Sequence, residues 1–335
     1  MAKNVTMKDI AKEMGVSTVT VSKALSGREG VSDEVRRKVI EKAENMGYQY
    51  SHKLVLAERQ ESQNVGIVVA NRYFEDNSFY SNLYRNVVLK LNDKDCFGMI
   101  EIISEAQENK LQLPGMVTTG KVSGLIVLGQ LSEDYLKMVH SAGIPHIFLD
   151  FYNDEAGNEC VISDGSYGSY CLTNYLYHMG HREIAYVGSI RATSSIMDRY
   201  LGYLKSVLEH DLKTSTEWLI EDRDEKGQQI PFRLPQKMPT AFVCNCDLIA
   251  CQLIKELNAK GYKVPEDVSV VGFDDYIYST LSNPQLTTFR VNVPQMASIT
   301  VSGILKKIKD NSYSLGRRVV GGSVVIRDSV KDLRK

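Results

Sequence analysis

Residues 17–23 put four hydroxyls and one ammonium into a single short stretch: Ser17, Thr18, Thr20, Ser22 and Lys23. No histidine, thiol or carboxylate lies among them, so the group has no base to activate a nucleophile. Hydroxyls and lysine instead suit phosphate oxygens, and lysine also reaches the acceptor edge of guanine. A second set is scattered along the chain. Asp150, Asn245, Asp247 and the neighbours Asp274 and Asp275 lie where apolar runs end, and there carboxylates and amides can hold the hydroxyls of a sugar or a ribose. Phe79, Tyr80 and Tyr276 add aromatic faces that could stack on a pyranose or a base.

The first set needs a short helix to present it. Thr6 with Asp9 three residues on reads as a capping box, opening a helix whose apolar face is Met7, Ile10, Ala11 and Met14. Gly15 breaks that helix and permits a tight turn. Ser17 can cap a second helix, Thr18 to Leu25, in which Val21 and Ala24 face inward and the polar side chains stay outside. After Gly27 and Gly30, Ser32 caps a third helix with Asp33 and Glu34 in its first turn, where the helix dipole favours acids, and Gly47 ends it. Two helices joined by a glycine-containing turn are the helix-turn-helix design, whose second helix enters the major groove of DNA. A small helical bundle without a ligand is the alternative. Residues 1–50 hold nine Lys/Arg against seven Asp/Glu, so DNA affinity must come from where the cations sit and not from bulk charge.

The second set needs strand ends. Apolar runs at 65–70, 97–103, 123–129, 145–150, 160–163, 183–189, 240–245 and 268–275 alternate with helical segments. Such alternation implies parallel sheets covered on both faces, and the number of units exceeds one sheet. An α/β chain with a three-helix head and a core of two doubly wound subdomains is the expected architecture. Ligands of such folds gather outside the carboxyl ends of the strands.

The stretch MKDIAKEMGVSTVTVSKALSG resembles the DNA-binding head of the LacI/GalR family of bacterial transcription regulators, with DIA, GVS and TVSKALSG in the family's order. The resemblance implies that Thr18, Val19 and Lys23 read bases, Lys23 foremost, and that Thr6, Ser17, Thr20, Ser22 and Ser32 hold phosphates. It implies a hinge over 48–63 whose leucine wedge would be Leu56, an inert linker being the alternative. Further on, VISDGSYGSY, YLYHMGHREIAYVGS, DRYLGY, CNCDLIA and VVGFDD are similar to the family's periplasmic-binding-protein-like core. The resemblance makes Arg199, in Arg199-Tyr200-Leu201-Gly202, an effector contact, and places Asp164 at the ligand or the interdomain crossing. With Phe79, Tyr80, Asp150, Asn245, Asp274 and Tyr276, these complete the candidate effector set, whereas Asp247 fits a helix cap as well as a contact. The implied division is a head over 1–47, a hinge over 48–63, one subdomain of 64–162 plus 292–320, and another of 163–291 plus 321–335. The implied protein is a homodimeric regulator, expected to repress, that binds double-stranded operator DNA and responds to a sugar or sugar derivative.

Composition is that of a globular protein: 43% hydrophobic, 24% charged and net charge −1, which argues against a non-specific nucleic-acid binder. Neither a signal peptide nor a membrane span nor a tetramerising C-terminal heptad is read, so a cytoplasmic setting is expected. The six cysteines lack metal-site spacing and are expected as reduced thiols, and no cofactor is implied. His178 and His181 flank Gly180 where a helix meets a strand, which favours a structural role. No Walker-type phosphate loop and no nucleophile elbow is present. Two other classes compete: a sugar-binding protein without DNA function, which would lack the head, and an α/β sugar- or nucleotide-processing enzyme, which would need a base and nucleophile pair.

Overall fold

The computed structural model describes residues 5–25, 30–46, 64–75, 79–153, 159–224 and 227–334. The expected hinge, with Leu56, lies outside them, as does Gly47. The chain forms two compact units, Met1–Ser62 and Gln63–Lys335.

The head is three helices, α1 (Met7–Met14), α2 (Thr18–Leu25) and α3 (Asp33–Asn45). The Asp9 carboxylate accepts the Thr6 backbone N–H at 2.8 Å and its hydroxyl at 2.6 Å, which starts α1. Gly15 closes it at φ 65°, a left-handed conformation that a glycine adopts without strain. Ile10, Val21 and Val39 are wholly buried, joined by Ala11, Ala24 and Ala43. One inward stripe per helix therefore makes the core, leaving the rest of α2 outside it.

In the larger unit the strands run β1 (Asn64–Ala70), β2 (Phe97–Ile103), β3 (Gly124–Leu128), β4 (His146–Leu149), β5 (Cys160–Ser163) and β6 (Ile184–Val187). Then come β7 (Leu219–Ile220), β8 (Ala241–Cys244), β9 (Ser269–Val271), β10 (Thr288–Val291), β11 (Arg317–Val320) and β12 (Gly322–Val325). Among the described residues there are two parallel sheets, β11-β5-β4-β3-β1-β2 and β7-β6-β8-β9, and an antiparallel pair, β10-β12. The central strands β3, β4, β5, β6 and β8 are buried along their whole length, as apolar runs covered on both faces must be. Strand order reverses at β1/β3 in one sheet and at β6/β8 in the other, and a crevice opens at such switch points.

The chain leaves the six-stranded sheet after Ser163, with Asp164 capping the helix Gly165–His178. It returns at Asn292, which caps the helix Val293–Lys309 packed on β3, β4 and β5. Gly321 separates β11, in that sheet, from β12, which pairs with β10. Among the described residues, β10 thus pairs antiparallel with β12, and the run at 286–291 meets β9 and the residues after it only through single parallel bridges, Val271 to Thr287 and Asp274 to Arg290. β7, β11 and β12 carry no apolar run in the sequence: β7 is two residues long, and three of the four β11 residues are exposed. A Cβ on Gly202 would lie 1.9 Å from the Ser166 carbonyl oxygen, so the helices Gly165–His178 and Ser194–Glu209 touch backbone to backbone there. That contact fixes the helix carrying Arg199. No described helix is long and apolar enough to cross a membrane.

Candidate functional site

α2 turns its polar residues outward. Ser17, Thr18, Val19 and Ser22 are exposed, Thr20 and Lys23 half-buried, and Val21 and Ala24 buried. Val19 is 63% exposed, an aliphatic surface of the kind that meets a thymine methyl. Ser17 Oγ accepts the Thr20 N–H at 3.0 Å and lies 2.8 Å from Thr20 Oγ1, so the helix start is hydrogen-bonded in place. Ser32 Oγ accepts the Val35 N–H at 3.4 Å. The Arg36 guanidinium donates to the carbonyls of Lys23 and Ala24 at 3.5 and 3.4 Å, clamping the carboxyl end of α2 to α3. The Lys23 Nζ lies beside Gly30, 3.4 Å from where a Cβ would be. Thr6, exposed, already gives its hydroxyl to Asp9.

In the larger unit one cavity of about 100 Å³ is lined by Phe79, Tyr80, Asp150, Arg199, Asn245, Asp274 and Tyr276. Asp164 is not among its lining residues; its carboxylate accepts the Tyr167 N–H at 3.1 Å as a helix cap. Arg199 sits at the centre of the charge pattern. Its Nη1 donates to the Asn245 carbonyl at 2.5 Å, its Nη2 to Asp274 Oδ1 at 3.2 Å, and the guanidinium lies 4.0 Å over the Phe273 ring. Asp150 accepts the Tyr80 hydroxyl at 3.1 Å. Tyr80 in turn packs on Tyr73 at 5.0 Å and edge-on to Phe79 at 5.5 Å, an aromatic wall.

Two acids thus surround one cation in a dry place. Burial pushes the Asp274 carboxyl up to about 7 against the pull of Arg199, with Asp150 adding repulsion. Burial likewise pushes Asp150 up to about 6, again opposed by Arg199. Both sit in the left-handed region, Asp150 at φ 72° and Asp274 at φ 107°, a strain that collects at functional sites. Asp150 Oδ1, Asn245 Oδ1 and Arg199 Nε are buried with no partner among the described residues. A buried polar atom left unpaired costs about 1–3 kcal/mol, so this cluster of two acceptors and one donor is held at a cost to stability.

Comparison with known proteins bears on both regions. The family described as "Bacterial regulatory proteins, lacI family" matches residues 6–51, and a "Periplasmic binding protein-like domain" matches residues 173–330. The transcriptional repressor PurR of Histophilus somni (strain 129Pt) is 27% identical, over 98% of this chain and 99% of its own. Among solved structures, the transcriptional regulator CelR–cellobiose complex superposes with a TM-score of 0.69 at 20% identity, covering 97% of this chain and 100% of that one. The lac repressor dimer bound to operator gives 0.66 at 21%, covering 98% and 100%. The chain belongs to the LacI family. It is a DNA-binding transcription regulator with a ligand-binding core and not an enzyme.

For a LacI-family core, the cavity holds residues that local patterns could not reveal. Arg223 lines it, as do Tyr73 and Cys246. Next to Arg223, the buried Asp222 accepts the Asn245 Nδ2 at 2.8 Å and so fixes the orientation of the amide. Arg223 and its hydrogen bonds hold the Asp222 carboxyl below its ordinary value in spite of burial. Asp222 and Arg223 follow the two-residue β7, so no strand pattern announces them. Asp247 corrects the capping expectation: Cys246 is the N-cap residue of the helix Asp247–Ala259. The Asp247 carboxylate instead ties three segments together, accepting Thr288 Oγ1 at 2.6 Å and the Tyr276 N–H at 3.1 Å. His181 bonds Thr240 Oγ1 and the Lys331 carbonyl from its two ring nitrogens, which fastens the C-terminal segment.

Proposed function

We propose that this LacI-family regulator is a repressor that binds a two-fold operator as a homodimer and works in the cytoplasm, its affinity set by a carbohydrate or carbohydrate derivative in the cavity. The convergence of Asp150, Arg199, Asn245 and Asp274 on one buried cavity with unfilled acceptors carries the reading. Hydroxyls supply the donors those acceptors lack, and the Phe79–Tyr80 wall and Tyr276 suit the apolar face of a pyranose. The cellobiose complex of the similar CelR structure supports the carbohydrate class. In the head, Thr18, Val19 and Lys23 would meet base edges and Thr6, Ser17, Thr20, Ser22 and Ser32 phosphates, Leu56 serving as the hinge wedge. In the core, 64–162 plus 292–320 and 163–291 plus 321–335 would move as two bodies about the crossings at 163–164, 292 and 321, and the effector would bias their angle. Coupling between the two sites is reciprocal and typically about 1–3 kcal/mol.

Thermal unfolding of the full chain with sugars, sugar acids, purine bases and nucleosides tests the ligand class. At a hundred times its dissociation constant, a ligand stabilises by about 2.7 kcal/mol. A rise confined to sugars or their derivatives supports the reading, and a rise with a purine alone overturns the carbohydrate class. The active compound must then change operator affinity in a gel shift at fixed salt.

A further inference from the structure

The cavity holds a second cation that hydroxyl recognition does not use. Arg223 donates Nε and Nη2 to a single oxygen of Asp222, Oδ2, at 3.0 and 2.7 Å. That oxygen also accepts Asn245 Nδ2 at 2.8 Å, while Asp222 Oδ1 takes the Ser189 N–H at 2.7 Å. Asp222, fully buried and with both oxygens occupied, orients the guanidinium from one edge only. The other edge, Nη1 and the second N–H of Nη2, has no partner among the described residues. Arg199 is engaged differently: it gives one N–H of each terminal nitrogen to the Asn245 carbonyl and to Asp274, and the Asp274 carboxylate lies against its charge inside the cavity.

Sheet order separates Arg223 from the acids. Arg223 follows β7 and Asp274 follows β9, the two edges of a four-stranded sheet with β6 and β8 between them. At about 4.8 Å per strand, those strand ends lie roughly 14 Å apart, and both residues line the cavity. A ligand between them meets carboxylates at one end and an open guanidinium edge at the other. Planar guanidinium edges match paired oxygens of a carboxylate or phosphate, in charge-assisted hydrogen bonds about twice as strong as neutral ones.

We propose that Arg223 binds an anionic group on the effector, a carboxylate or a phosphate, while Asp150 and Asp274 hold its hydroxyls at the other end. The effector class is then an acidic sugar or a sugar phosphate. This rests on the effector reading of the cavity.

Calorimetry and thermal unfolding on the full chain test it with matched pairs: glucose and glucuronate, galactose and galacturonate, glucose and glucose 6-phosphate, adenosine and adenosine monophosphate. In at least one sugar pair the acidic member is expected to bind about tenfold or more tightly than its neutral counterpart. Arg223→Gln brings that pair to parity, and Arg223→Lys keeps part of the preference. If Arg223→Gln fails to fold, Asp222→Asn/Arg223→Gln, which removes the ion pair as a unit, replaces it. Sugar binding with no acid preference in any pair, or an acid preference that survives Arg223→Gln, overturns the role of Arg223 and leaves the carbohydrate reading standing. Preference for adenosine monophosphate with no sugar bound keeps the anion site and removes the carbohydrate. No binding by any member at millimolar concentration removes both.

Discussion

In the head, the residues set out to meet DNA lie mainly on α2 and its cap, exposed apart from the half-buried Thr20 and Lys23, with water screening their charge. In the cleft, Tyr80, Asp150, Arg199, Asn245 and Asp274 arrive from separate strands and helices, and the ion pair between Arg199 and Asp274 is almost fully buried. Burial changes the energetic scale. A surface charge contributes up to about 1 kcal/mol through one partner, whereas breaking a buried pair leaves an uncompensated charge costing about 3–5 kcal/mol. The head can therefore lose a contact and keep its fold, while the cleft binds and folds with the same side chains. Substitutions should separate the two regions by which assay they disturb and by how much stability goes with it.

Arg199→Ala is the largest expected disturbance. It removes the only cation contacting Asp274 among the described residues, together with the cation–π contact on Phe273. Ligand response should vanish and stability fall by about 3 kcal/mol, softened as the orphaned acids take up protons. Operator binding at fixed salt should stay within a few-fold of wild type. A variant that still responds at wild-type ligand concentration would show that Arg199 is structural and that the comparison drawn here fails on the cleft side.

Gly202→Ala tests the scaffold beneath that site without touching the ligand. The added methyl meets the Ser166 backbone oxygen, which no rotamer change can move. Overpacking of this kind costs about 1–3 kcal/mol, read as a lower denaturant midpoint. Ligand affinity should fall too, because the shifted helix carries Arg199. Full stability would mean that the two helices separate freely.

The same contrast governs what could be read before folding. α2 was legible because period, cap and polar residues sit within one helix, and Val21 and Ala24 are buried as the helical spacing requires. The strands of both parallel sheets were legible as apolar runs, except the two-residue β7 and the largely exposed β11, each of which buries a single side chain, Ile220 and Val320. Asp150, Asn245 and Asp274 could be picked out because strand ends in such sheets point at crevices. Arg223 and Asp222 could not, since only the fold brings β7 beside β6 and β8 into the same sheet. Asp247 stayed open between cap and contact for a related reason: it lines the cavity and its partner Thr288 is distant in sequence.

Lys23→Ala sharpens the comparison from the head. A lysine at a base edge contributes about 1–3 kcal/mol, so operator affinity should fall about tenfold to a hundredfold, with unfolding and ligand affinity unchanged. Thr18→Ala, removing one exposed hydroxyl, should cost less. Unaltered operator affinity in Lys23→Ala would place base reading elsewhere on α2.

The smallest effect is the one that only a dry site can produce. Asp150 and Asp274 have their carboxyls raised from 3.8 to about 6 and about 7 by burial. A carboxyl raised on folding contributes stability that is complete below its unfolded value and lost as pH climbs through its folded one. The contribution of these two carboxyls to melting temperature in the ligand-free protein should therefore be lost between about pH 4 and pH 7. Asp222, Asp275 and Glu108, held below their ordinary values by arginine partners, titrate at lower pH and leave that window alone. A ligand whose hydroxyls donate to Asp150 and Asp274 favours their ionised forms, so its affinity should tighten on the order of tenfold from pH 6 to pH 8. Asp274→Asn should weaken both trends without abolishing them, since Asp150, Asp198 and Asp247 are also raised by burial, and the full profile in that variant would mean the Asp274 carboxyl does not contribute. Operator affinity at constant salt should show no matching dependence in the absence of ligand, because the described α2 face carries neither a histidine nor a carboxylate.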